Sequence, residues 1–173
     1  MTETGAYDWQ KDPLHNCILK QSTSYVPNEA EMAHLRLLGL EFDAFDVTSW
    51  DIAYVMGRHF KAGEWKKYPF CGSVITCVVD GRSLYARVNR FLTIKGDRSR
   101  GYASVSWFDV PEYPLGNPLV VRVREDGRCL DDRYGPIVRI TQIDPSQVMV
   151  EPASDGETHF MMRDAGYDTC SLT

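Results

Sequence analysis

The stretch from Tyr102 to Pro114 reads Tyr-Ala-Ser-Val-Ser-Trp-Phe-Asp-Val-Pro-Glu-Tyr-Pro and restricts the fold more than any other. Its period is two: Ala103, Val105 and Trp107 fall on one face, and Tyr102, Ser104, Ser106 and Phe108 on the other. β-Branched and aromatic residues favour a pleated, half-buried surface, so this is a strand. Pro111 and Pro114 lack the N–H that a ladder requires, which predicts an end near Val110. Upstream, Leu84-Tyr85-Ala86-Arg87-Val88 reads as a second strand, joined to the first through a polar, glycine-bounded loop.

The flanking sequence supplies more short strands. Ser73–Val79 and Ser83–Ile94 are predicted to pair across Asp80-Gly81, a hairpin turn signal. Lys95–Gly101 is a charged loop, Leu119–Arg124 a strand, and Asp131-Asp132 a solvated turn in a loop. Ile137–Ile143 and Gln147–Val150 are strands separated by Asp144-Pro145-Ser146, and His159–Arg163 is a last short one. Strands at this spacing without intervening helices predict a mainly β fold, an antiparallel barrel or sandwich.

Before this region the signals change. Residues 1–27 lack a sustained period and are expected to form an arm, loose or laid across the body. Asn28 reads as a helix N-cap and Glu31 as its capping-box partner. Met32, Leu35 and Leu38 follow at helical spacing and Gly39 supplies the stop, giving a short helix over Glu29–Leu38. Between residues 40 and 70 neither period prevails, and strand and helix both stay open. The expected organisation is an arm over 1–27, a helix and connector packed on the body over 28–70, the β domain over 71–164 and a tail over 165–173.

The net charge of −5 is unevenly spread. Residues 57–100 carry ten basic and three acidic side chains, whereas 1–56 carry three and nine and 101–173 six and twelve. A basic segment between acidic flanks suits phosphate or an acidic partner, or simply faces the acidic segments within the fold. Within it, Gly57–Lys67 interleaves bases with aromatics, a pattern that either clamps nucleic acid or pins a surface segment to the core. The five cysteines, Cys17, Cys71, Cys77, Cys129 and Cys170, are odd in number and irregularly spaced. They read as reduced, mostly buried thiols rather than a disulfide framework or a zinc site. No run approaches the roughly 20 apolar residues of a membrane helix, and the polar N-terminus resembles no targeting peptide. A nuclear or cytosolic address and no membrane partner are expected.

Neither a nucleophile elbow, a phosphate-binding glycine loop, a His-Glu-x-x-His helix nor a dinucleotide fingerprint is present. His15, His34, His59 and His159 are scattered singly. No cofactor or metal is expected, and the chain reads as a non-enzyme. Leu84-Tyr85-Ala86-Arg87-Val88, followed after a loop by Ala103-Ser104-Val105-Ser106-Trp107-Phe108-Asp109-Val110-Pro111-Glu112, resembles the core of bromo-adjacent homology (BAH) domains. The likeness spans about Cys71 to Val150, and the Trp-Phe-x-x-Pro-Glu element is its most specific part. A weaker likeness is to C-terminal segments of proteins encoded by large eukaryotic DNA transposons.

The BAH resemblance implies a barrel-like chromatin module, nuclear and non-catalytic, that binds a histone tail or another nuclear protein. Some members hold methylated lysine in an aromatic cage, where ring faces attract a cation short of N–H donors. Carried over by position, Tyr85 and Trp107 match two cage residues, and Asp109 stands where a third aromatic is often found. The carboxylate of Asp109 could complete a cage for lower methylation states, or Tyr85 and Trp107 could be barrel core. The alternative function is DNA or RNA binding through Arg58, Lys61, Trp65, Lys66, Lys67, Arg82, Arg87 and Arg90. An enzyme of unrecognised class is the less favoured alternative.

Overall fold

Asp80 and Gly81 both have positive φ, +51° and +73°, the pairing a type I′ turn demands, and the hairpin they close is the centre of the fold. The computed structural model describes residues 17–63, 73–98, 100–112, 120–124, 128–146, 148–152, 154–155 and 158–163. Among them the elements run β1 (Cys17–Ser24), α1 (Glu29–Leu37), β2 (Val47–Val55), β3 (Arg58–Lys61), β4 (Val74–Val79), β5 (Arg82–Ile94) and β6 (Tyr102–Trp107). They continue with β7 (Val120–Arg124), α2 (Arg128–Tyr134), β8 (Ile137–Arg139), β9 (Ile143–Asp144), β10 (Val148–Pro152) and β11 (Thr158–Arg163).

The 13-residue β5 is the hub. One edge pairs with β4 over Arg82–Arg87 and with β2 over Phe91–Ile94; the other edge carries β6. Between the β4 and β2 contacts, Val88 accepts from Gly63 N–H (3.0 Å) and donates to Ser73 O (2.7 Å). The ladder to β6 shifts register between Val88 and Arg90, a bulge that turns the strand from one half of the sheet to the other. The main sheet has eight antiparallel strands, ordered β1-β2-β5-β4-β9, with β3 beside β2 and β8 beyond β6. A second antiparallel sheet runs β10-β11-β7. The fold is therefore mainly β. The large sheet does not close: no ladder joins β1 to β9 among the described residues, so of the expected barrel or sandwich the barrel is not what they form.

Both faces of β5 and β6 are covered, and the alternation in sequence sorts the residues correctly. Ala103, Val105 and Trp107 join Ala86, Val88 and Phe91 in the largest apolar cluster. On the opposite face, Tyr102 packs with Leu35 of α1, Leu92 and Ile94. Farther along that face, Phe108 packs with Tyr85, Val74, Val123 and Val148, which seats the small sheet against β4 and β5. β6 ends at Trp107, before the expected Val110, because Trp107 N–H turns to Asp131 Oδ1 (3.3 Å) and Val110 N–H to Asp109 Oδ1 (2.8 Å).

Helix α1 forms as its sequence dictates. Glu31 N–H donates to Asn28 Oδ1 (2.8 Å), Asn28 N–H donates back to Glu31 Oε1 (3.0 Å), and Gly39 at φ +85° ends the turn. Four expectations need correction. Residues 17–24 of the supposed arm are an edge strand, in which Leu19 alone is fully buried, so no period was visible. The undecided 40–70 region contributes strands β2 and β3, and β2 pairs with β5, so the boundary drawn at residue 71 falls inside one sheet. Asp131 and Asp132 lie on the short helix α2, anchored by Leu130, and not in a loop. The expected strand Ile137–Ile143 is broken by a 3-10 turn over Ile140–Gln142, because Gln142 Oε1 captures the Arg139 N–H at 2.9 Å.

Candidate interaction surface

Tyr85 and Trp107 do not meet. Trp107 lies opposite Ala86 in the β5–β6 ladder and shares its face, and Tyr85 precedes Ala86 and so points the other way. Both rings are core, at 2% and 1% exposure, in separate clusters. The Trp107 indole N–H donates to Gly135 O at 2.8 Å, and its ring sits 5.8 Å from that of Tyr134. Asp109 is half-buried and spends one carboxylate oxygen on the Val110 N–H. The three residues therefore form no shared pocket, and the cage expectation is corrected: both rings stabilise the fold.

The basic residues expected to hold nucleic acid are also dispersed. Arg82 opens β5 at the hairpin; Arg90, eight positions on, is roughly 26 Å away along the strand. Arg87 lies 5.7 Å from the Phe108 ring centroid. Arg90 sits 4.0 Å over the Tyr25 ring and 4.0 Å from the buried Glu31, which also accepts from Tyr25 Oη. It is thus part of the clamp that fastens α1 to the sheet. Trp65, Lys66 and Lys67 lie outside the described residues. Arg58 and Lys61 remain, both on β3.

Around β3 the register builds a surface that sequence reasoning missed. Ile18, Tyr54 and His59 are aligned across β1, β2 and β3, and Lys20, Ile52 and Lys61 form the next row. The intervening residues Leu19, Ala53, Val55 and Phe60 are buried in the main cluster, so these two rows form the outer face. Ile18 is 57% exposed. Lys20 Nζ stands 5.4 Å from the Tyr54 ring centroid, and His59 meets the same ring edge-on at 5.2 Å. The result is a compact basic and apolar face bounded by β1, whose other edge has no ladder partner among the described residues. Alternation of Ile18 and Lys20 about Leu19 was the available signal, but three residues are too short a run to establish a period.

The shifted titratable groups are set by burial. Desolvation pushes the Cys17 thiol up to about 12, only partly opposed by Arg98, and pushes Cys77 up further, with Asp144 adding to the effect. Both are free and unreactive as thiolates. Burial raises Tyr102 and Tyr25, the latter helped by its bond to Glu31, and lowers His34. No cluster of three or more His, Cys, Asp or Glu side chains suited to a metal is found among the described residues. No helix among them is long and apolar enough to cross a membrane. Comparison with family models, curated proteins and solved structures finds no match to this chain.

Proposed function

We propose that the chain is a non-catalytic interaction module of the nucleus, acting on chromatin, which holds an acidic segment of a partner protein on the outer face of β1–β2–β3. The observation that carries this reading is the convergence of Lys20, His59 and Lys61 around Tyr54, Ile18 and Ile52. Ammonium groups attract carboxylates and steer encounter, and the isoleucines and tyrosine supply apolar contact. The edge of β1 offers backbone donors and acceptors to an extended peptide, the strand-addition mode of recognition. The chromatin setting rests on the BAH resemblance, whose two sequence blocks lie on neighbouring strands β5 and β6. A Lys-rich histone tail would meet like charge on this face, so an acidic nuclear protein is the partner of choice. Nucleic acid is the poorer fit, since Lys20 already covers the Tyr54 ring on which a base would stack.

Fluorescence anisotropy with a labelled Asp/Glu-rich peptide tests the proposal. Reversing both charges (K20E with K61E) is expected to weaken binding about tenfold, or about 1.4 kcal/mol, with the melting temperature retained. Equal binding of wild type and double variant would overturn it. So would tighter binding of single-stranded DNA with a steep salt dependence, the signature of counterion release.

A further inference from the structure

The loop from α1 into β2 reads Leu40-Glu41-Phe42-Asp43-Ala44-Phe45-Asp46 and ends in a 3-10 turn over Ala44–Asp46. Its two phenylalanines have opposite fates. Phe42 is buried in the cluster of Leu35 and Val47, with Arg36 6.0 Å from its ring centroid, whereas Phe45 is 89% exposed. Glu41 and Asp43, close to Phe45 in sequence, are exposed as well, and Asp46 is half-buried.

The turn is braced from both sides. Asp46 N–H donates to Asp43 O (2.9 Å), Asp43 N–H to Asp46 Oδ2 (2.8 Å), and Lys95 N–H, just past the end of β5, to Asp46 O (2.8 Å). Phe45 therefore stands in water on a fixed turn, and its exposure is not that of a loose loop. Backbone ordered in advance has less freedom to lose on docking, which favours association.

The complement of this turn is present on the same molecule. The outer face of β1–β2–β3 sets Lys20 and Lys61 around Ile18, Ile52 and Tyr54, with Ile18 57% exposed. An apolar ring among carboxylates would meet there an apolar surface among ammonium groups. The two cannot meet within one chain, because β2 holds them apart: Val47, which follows the turn, and Tyr54 are separated by roughly 23 Å of strand.

We infer that the chain associates with a second copy of itself, the Phe45 turn of one copy docking on the Lys20–Lys61 face of the other. The inference rests on the reading of that face as one for acidic segments, and adds that copies compete for it with any other acidic partner. The contact is small and belongs to the weak, transient class of interface. Opposite charges fix its register and disfavour pairing of turn with turn or face with face.

Sedimentation equilibrium of the whole chain, over roughly 5–500 μM at physiological salt, is the test. Expected is a rise in average mass with a Kd of about 100 μM. Phe45→Ser, and E41K with D43K, all at exposed positions, should each weaken association at least about tenfold with the melting temperature retained. K20E with K61E should do the same. The deciding arm mixes the two charge-reversed proteins: each reversed surface again finds its opposite, so the mixture should associate with a Kd within about threefold of wild type. The labelled acidic peptide separates this inference from the reading beneath it. Peptide binding by a chain that stays monomeric at about 500 μM would overturn self-association alone, and failure of both peptide binding and association would overturn both. Association that survives Phe45→Ser or E41K with D43K, or a mixture that stays monomeric, would also overturn it.

Discussion

Truncating Trp107 to alanine distinguishes a core residue from a ligand-binding one, and its cost follows from the contacts the ring makes. The ring is 1% exposed and packs in the main cluster. Removing a buried large aromatic typically costs about 3–5 kcal/mol, from lost transfer energy and the cavity left behind. The Gly135 carbonyl also loses the indole N–H that reached it at 2.8 Å. Against a typical domain stability of about 5–15 kcal/mol, this is a large fraction. For a chain of 173 residues each kcal/mol moves Tm by roughly 2–4 °C, so Trp107→Ala should melt roughly 6–20 °C below wild type. Trp107→Phe keeps a ring but still orphans the carbonyl, worth about 1–3 kcal/mol, and should fall between the two. Thermal unfolding followed by circular dichroism, with a urea series for free energies, provides the measurement. If Trp107→Ala melted within about 2 °C of wild type, the ring would not be core, and the packing of β6 against α2 would be wrong.

Gly135 offers a second test through two independent obstacles. Its φ is +74°, and a Cβ there would stand 2.6 Å from His34 Nδ1, the atom that accepts the Ile137 N–H. Gly81 has a similar φ of +73° but open space around it, so Gly81→Ala bears only the left-handed cost of about 1–2 kcal/mol. Gly135→Ala should lower the urea midpoint by clearly more than Gly81→Ala; equal losses would show the His34 contact to be soft. The third test uses pH. Burial holds His34 below its usual 6.5, so as pH falls past that value the unfolded chain takes up the proton first. The contribution of His34 to stability is thus intact above about pH 6.5 and is lost as pH falls toward the folded pKa. His34→Gln, which can still accept the Ile137 N–H, should flatten the stability slope between about pH 7 and 5, and an unchanged slope would refute the argument.

How far the sequence could be read depended on whether a signal was local. The capping box at Asn28 and Glu31, the Asp80-Gly81 turn and the two faces of β6 are each specified within a few residues, and each forms as expected. β1 was invisible because seven of its eight residues escape full burial, and its pairing with β2 comes from a partner some thirty residues away in sequence. Helix α2 has seven residues, barely two turns, and among its described side chains Leu130 alone is buried, so it carries no amphipathic period. The site residues suffered most. Tyr85 and Trp107 were paired by likeness of position, but whether two rings on adjacent strands face each other depends on register, and a one-residue offset sends them to opposite sides. Lys20 and Tyr54 were overlooked for the converse reason: only the long-range register of β1, β2 and β3 makes them neighbours.

The disposition of aromatic rings gives a reason to expect anionic ligands from a chain that is itself acidic. A reader of methylated lysine needs ring faces that are empty. Here Tyr25 carries Arg90 at 4.0 Å, Trp50 carries Arg98 at 4.6 Å, Tyr54 carries Lys20 at 5.4 Å and Phe108 carries Arg87 at 5.7 Å. Arg98 is further fixed by its bond to Leu19 O at 2.9 Å. Each such contact is worth about 0.5–2 kcal/mol, and the resident cation is tethered, with an effective concentration of millimolar order or above. An incoming ammonium therefore competes against a guanidinium or amine already in place and gains little by displacing it. An incoming carboxylate does not compete for a ring face, and at Lys20 it meets a cation whose side chain is already ordered against Tyr54. Ordering that lysine in advance removes part of the side-chain entropy a binding event would otherwise cost, about 0.5–1.5 kcal/mol for a rotamer-rich side chain. The net charge of −5 does not oppose this at short range, because separation beyond about 8 Å is largely screened at physiological salt, and the described face itself presents Lys20 and Lys61.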